Sequence, residues 1–205
     1  MLVTNAMRAD RPDAPTAELW RVRLPWACGP ELVLAALARE PCLCCLSGVW
    51  AGGGTIIASA PLRVAEADAD PFALLDELPH VSAASGESLG AVGGGWFGWL
   101  GYRLAARVEQ IPLVDLRPVP LPDFHLAYYD HLLHQDAYGF WWFEALATRE
   151  RCAALEERLE HLRSRVADQR RAGAAAEPHV PTPLRLHPEV AGHHLAAVAD
   201  CRERI

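Results

Sequence analysis

Lysine is missing from this chain: all 19 of its basic residues are arginine. The absence excludes from the polypeptide every step that needs an amine side chain, whether Schiff base, lysine nucleophile or the lysine of a phosphate-binding loop. Positive charge is also short overall. Against 26 acidic residues the formal net charge is −7, and no basic stripe gathers the arginines, which argues against a nucleic-acid partner. Long hydrophobic runs are absent too. The longest, Ala91 to Tyr102, is made of glycine and aromatics and falls short of the roughly 20 residues a membrane helix takes. The first fifteen residues mix Arg8, Asp10, Arg11 and Asp13 among small side chains without the apolar core of a secretory signal. The expectation is a cytoplasmic protein with no membrane contact, whose six cysteines are free thiols.

With 51% hydrophobic and 22% charged residues, the 205-residue chain can bury one sizeable core. Gly29-Pro30-Glu31 followed by Leu32, Val33, Leu34 and Leu37 predicts a short amphipathic helix with proline in its first turn. Cys42 to Trp50 is a continuous apolar run and reads as a buried strand. After the Ala51-Gly52-Gly53-Gly54 turn, Thr55 to Ala60 returns as its hairpin partner, ended by Pro61. Asp70-Pro71 predicts a capped helix start, and Val81 to Leu89 a polar linker. Glycine supplies no side chain to a strand, so the glycines of Gly93 to Tyr102, set among Trp96, Phe97 and Trp99, imply a backbone held close to another backbone or a ligand. Ile111 to Pro122 is a proline-rich connector. Phe124 to His134 and Tyr138 to Leu146 read as two strands about a Gln135-Asp136 turn. Arg149 to Arg171 is the clearest helix, with Leu155, Leu159, Leu162 and Val166 on one stripe. An Ala/Pro-rich linker, Ala172 to Pro183, leads to a second helical pattern from Pro188 that the sequence ends without a Gly, Asn or Pro stop, read here as a truncation.

Several motifs that could carry chemistry have plainer readings. Gly93 to Gly98 formally satisfies G-x-G-x-x-G, but a dinucleotide loop needs a helix to open within it, whereas this run continues as a strand. Cys42, Cys44 and Cys45, with Cys28 nearby, lack the paired knuckle spacing of a zinc site and read as core packing. His131 and His134 fall on opposite faces of their strand. Asp123, Asp130 and Asp136 read as strand-edge and turn residues, and no Ser-His-Asp or Cys-His set can be assembled. Ser47, at the end of an apolar strand, is the one hydroxyl that must find a partner, either backbone or ligand.

Taken in order, Leu46-Ser47-Gly48, Ile57 to Pro61, the run Gly94-Gly95-Trp96-Phe97-Gly98-Trp99-Leu100-Gly101-Tyr102-Arg103-Leu104 with Arg107, Glu109 and Ile111-Pro112 behind it, then Leu121-Pro122-Asp123 and Tyr129-Asp130, resemble the amino-terminal portion of component I of the aminodeoxychorismate and anthranilate synthase family. The resemblance runs over roughly residues 20 to 205. It departs at Arg103, where the family carries an acid, and at Gly52-Gly53-Gly54-Thr55, where the family has an arginine- and aromatic-containing segment.

The resemblance implies an α+β fold in which antiparallel β-sheets pack face to face with flanking helices. It also implies a layout of a disordered tail over 1–18, an amino-terminal domain over 19–172, a linker over 173–187, and over 188–205 the first helix of a chorismate-binding half. The partners implied are that carboxy-terminal half and a glutamine amidotransferase that supplies ammonia. Mg²⁺ belongs to the complete enzyme and no cofactor to this chain. No catalytic residue carries over. Of the pocket that holds tryptophan in relatives, only Ser47, Thr55 and Ile56 map onto this sequence. The aminodeoxychorismate branch is preferred because no acid precedes Ser47 in Leu46-Ser47-Gly48. The alternatives are the anthranilate branch and a stand-alone small-molecule-binding domain.

Overall fold

The computed structural model describes residues 16–48, 54–82, 90–110, 121–173 and 188–203. In chain order the elements are β1 (Thr16–Leu24), α1 (Pro30–Leu37), β2 (Cys44–Gly48), β3 (Gly54–Ala58), β4 (Arg63–Val64), α2 (Pro71–Leu75), β5 (His80–Ser82), β6 (Gly95–Leu100), a 3₁₀ turn at Tyr102–Leu104, α3 (Ala105–Val108), β7 (Phe124–Tyr129), β8 (His131–Gln135), β9 (Trp141–Ala147), α4 (Cys152–Gly173) and α5 (Pro188–Glu203). The fold is α+β. A six-stranded sheet runs in the order β2-β3-β8-β9-β1-β5, antiparallel except for the β1–β5 pair, and a three-stranded antiparallel sheet runs β4-β7-β6.

Alternation along each central strand assigns its faces. In β9, Trp141, Phe143 and Ala145 are fully buried beneath Val33, Ala36 and Leu37 of α1 and Leu155, Leu159, Leu162 and Val166 of α4. Each of the larger side chains contributes about 1.5–3 kcal/mol by leaving water, so this layer holds a large share of the fold's stability. The opposite face packs Ile56, Ala58 and Leu132 against Ala127 and Tyr129 of β7 and Phe97 of β6. The two sheets thus meet face to face. On the far side of the small sheet, Phe124, Leu126 and Trp96 gather Leu104 and Leu75 into a third cluster.

The predicted hairpin forms as β2 and β3, and Asp70 caps α2 by accepting from the Phe72 amide at 3.0 Å. Three expectations are corrected. Phe124 to His134 is not one strand: the chain breaks at Asp130 and sends its halves to different sheets, Tyr129 opposite Gly95 and His131 opposite Ala145. A continuous apolar pattern cannot record a change of partner, because either sheet satisfies it. Second, β2 begins only at Cys44 and is an edge strand and not a buried one, so Cys45 is exposed, as is Cys42 in the turn before it, and Cys28 is the cysteine that packs against the core. Third, the first strand begins at Thr16 and was not anticipated. Its signal was present, since Trp20, Val22 and Leu24 alternate with Arg21 and Arg23.

Contacts divide the chain into two units, residues 1–173 and 174–205; α5 of the second forms from Pro188, as its pattern predicts. Among the described residues no helix is long and apolar enough to cross a membrane. The tail over 1–15, most of the glycine turn 49–53, the linker 83–89, the connector 111–120 and the linker 174–187 lie outside the described residues.

Candidate functional site

Because Trp141, Phe143 and Ala145 point to the helices, the residues between them must face the small sheet, and one of these is a carboxylate. Glu144 is fully buried. Its Oε2 accepts from the backbone amides of Val92 at 2.7 Å and Gly93 at 3.1 Å, in the glycine-rich segment that leads into β6. Its Oε1 lies 3.0 Å from His134 Nδ1 and 3.1 Å from Arg21 Nε. Strand register builds this ring directly, since Arg21 and Leu132 both stand opposite Glu144 while His134 stands opposite Trp142. Burial alone would push the Glu144 carboxyl up, but the His134 hydrogen bond and the two amides outweigh it and hold the group below the usual glutamate range. An ionised carboxylate that already accepts three hydrogen bonds and faces a guanidinium is a poor proton acceptor. What it does is clamp the glycine-rich segment onto the large sheet.

A second constellation lies on the helix face where the chain crosses between sheets. Asp130 accepts from His131 Nδ1 at 2.8 Å and from Arg151 Nε at 2.9 Å. Arg158 donates through Nε to His131 Nε2 at 3.0 Å and through Nη2 to Ser59 Oγ at 2.8 Å, and its Nη1 lies 3.0 Å from Glu40. Asp, His and Ser therefore come together, all buried. The Arg158 guanidinium, however, stands between the imidazole and the hydroxyl, and it occupies the Nε2 lone pair that a general base would need. The arrangement cannot activate Ser59. It ties α4 to the β7–β8 crossing and to the end of α1. Burial raises the Asp130 carboxyl, and His131 and Arg151 more than reverse that; Glu40 is likewise held down by His161 and Arg158 against its own burial.

Three carboxylates held below their ordinary values set a pH dependence. Their stabilisation is complete above the ordinary pKa values of 4.5 for Glu and 3.8 for Asp, and is lost as pH falls through those values toward the folded ones. The urea midpoint is expected to stay level from neutrality to about pH 5.5 and then fall steeply toward pH 3. Chemical denaturation across that range checks this, and a midpoint that rises on acidification would contradict it.

The residues singled out from sequence are only partly brought together. Ser47 and Thr55 are cross-strand partners whose hydroxyls lie 3.1 Å apart, Ser47 exposed at the edge and Thr55 buried. Ile56 points through the opposite face, into the contact between sheets and in register with His134. Ser47 therefore answers its hydroxyl with a side chain rather than with backbone. Glu144, Arg21 and Arg158 were not anticipated. A lone acid inside Trp141-Trp142-Phe143-Glu144-Ala145-Leu146 was the available signal for the first. Among the described residues no three His, Cys, Asp or Glu side chains are grouped to hold a metal ion. Burial pushes the Cys44 and Cys45 thiols up, away from thiolate reactivity. No protein-family model matches the chain, and no curated protein matches it.

Proposed function

We propose that this chain is the amino-terminal, non-catalytic part of component I of an aminodeoxychorismate synthase, the cytoplasmic enzyme that aminates chorismate with ammonia drawn from glutamine, on the way to para-aminobenzoate and folate. One observation carries the reading: the ordered glycine-aromatic run Gly94 to Leu104. Gly94, Gly98 and Gly101 stand where backbones touch, for a Cβ on Gly94 would lie 2.5 Å from the Tyr129 carbonyl oxygen, one on Gly98 1.8 Å from that of His125 and one on Gly101 2.6 Å from that of Asp123. A run whose glycines are sterically required is a stronger motif than one whose glycines are incidental.

Two further features support it. Among the described residues both charged constellations serve as ties between elements, in keeping with a supporting rather than a reacting part. Among the described residues β6 pairs only with β7 and leaves Trp99 and Leu100 exposed, an edge suited to strands from a chorismate-binding half. Mg²⁺ belongs to that half. The acids Glu40, Asp130 and Glu144 are spent on ion pairs rather than gathered as an oxygen-donor set, so no step through the metal is assigned here.

The purified chain given chorismate, ammonium and Mg²⁺ is expected to form no aminodeoxychorismate or anthranilate by chromatography. The reading frame extended beyond the Ile205 codon, together with its amidotransferase, is expected to form the former. Turnover by the chain alone would refute the proposal. The anthranilate branch is the second reading, and formation of anthranilate by the extended frame would select it.

A further inference from the structure

On the sheet face that carries Glu144, β1 and β9 continue past the Arg21–Glu144 pair into a ladder of arginine and aromatic side chains. The Arg21 guanidinium lies 4.0 Å over the Trp142 ring, and that of Arg23 4.0 Å over the ring of Phe140. Exposure grades along it. Glu144 is fully buried, the Arg21 side chain 16% exposed, and Phe140 45% exposed, with Arg23 exposed beside it. The ladder is held from below by Asp136, which accepts from the amides of Tyr138 and Phe140 and from Trp142 Nε1 at 2.9 Å, fixing the β8–β9 turn and the indole.

The two arginines differ in one respect. Arg21 sits against the Glu144 carboxylate, whereas among the described residues no carboxylate lies within 4.0 Å of Arg23. A guanidinium held over an aromatic ring, with no carboxylate partner of its own, has N–H donors left to take a carboxylate through paired hydrogen bonds. We propose that Arg23, stacked on Phe140 and adjoining Trp142, is the receptor of a site for a small carboxylate with a flat apolar body. The fork binds the acid, and the neighbouring indole and phenyl edges shelter the body. The site is independent of the synthase reading and separate from Ser47: four strand spacings, about 19 Å, lie between β1 and β2.

Benzoate titrated into the full chain, followed through the arginine Nε–H resonances, tests this. A saturable shift of the Arg23 resonance is expected, with no response to benzyl alcohol. R23K keeps the charge and loses the planar fork, so binding should weaken at least about tenfold. F140L removes the ring that orients the fork and should weaken it about threefold. R149K, at an exposed arginine elsewhere, should bind as the parent does, and thermal melts of all three variants should confirm folding. The proposal is overturned by shifts that grow linearly and alike at every exposed arginine, by R23K binding as tightly as the parent, or by a response to a glutamate-rich peptide without one to benzoate.

Discussion

Replacing Glu144 by alanine is expected to cost about 3–5 kcal/mol, the penalty for removing one partner from a buried ion pair. The effect is large because of what is left behind. His134 would stay buried without its acceptor, Arg21 would keep its largely buried place without the carboxylate it faces, and the amides of Val92 and Gly93 would lose their acceptor as well. Against a total stability of about 5–15 kcal/mol for an ordinary domain, that is a third or more. Urea titration should show a lowered midpoint at unchanged slope, and hydrogen exchange at Val92 and Gly93 should accelerate beyond the loss in global stability. E144Q keeps the shape but gives up the charge and turns one acceptor into a donor, so it should recover less than half of the deficit. An E144A protein within about 1 kcal/mol of the parent would show that the carboxylate is not the clamp described here.

The other large effect is expected at Gly98. Its φ of +152° already disfavours a side chain, and a Cβ there would lie 1.8 Å from the His125 carbonyl oxygen of the neighbouring strand. No side-chain rotation can relieve a clash with backbone. Gly98→Ala must therefore part β6 from β7 locally, with the loss of ladder hydrogen bonds and of the Phe97 packing on Tyr129, at a cost of about 3 kcal/mol or more. Gly139 supplies the control. It has φ of +84° but open space where a Cβ would stand, so Gly139→Ala should cost only the backbone term, about 1 kcal/mol. If the two variants unfold at the same denaturant concentration, the close approach of β6 and β7 is not what the glycine serves.

How the residues came to be legible differs from one to the next. Leu155, Leu159, Leu162 and Val166 repeat at helical spacing and form the buried stripe of α4, because a periodicity of this kind is a local property that needs no partner to be read. Asp70 and Pro71 are likewise local. Asp130 does stand at the end of a strand, as its sequence suggested, but its buried pairing with His131 and Arg151 depends on where two sheets diverge, which the local sequence does not reveal. Ser47, Thr55 and Ile56 were brought together only by the family resemblance. Strand register sets Ser47 opposite Thr55 and turns Ile56 to the other face, because adjacent residues of a strand point to opposite faces.

Composition and periodicity by themselves determined the α+β class, the helices α1 and α4, the β2–β3 hairpin, the glycine-led close packing around β6, and the lack of any lysine chemistry. All of these follow from the chain's own geometry over a few residues. Tertiary structure alone decided which sheet each strand joined, that β2 lies at an edge, and that Glu144 sits among three donors and the Arg21 guanidinium. It also decided that Arg158 separates His131 from Ser59. The physical reason is that a buried charge is tolerable only where its partners arrive, and those of Glu144 come from β1, β8 and the segment before β6, brought together by strand register rather than by nearness along the chain.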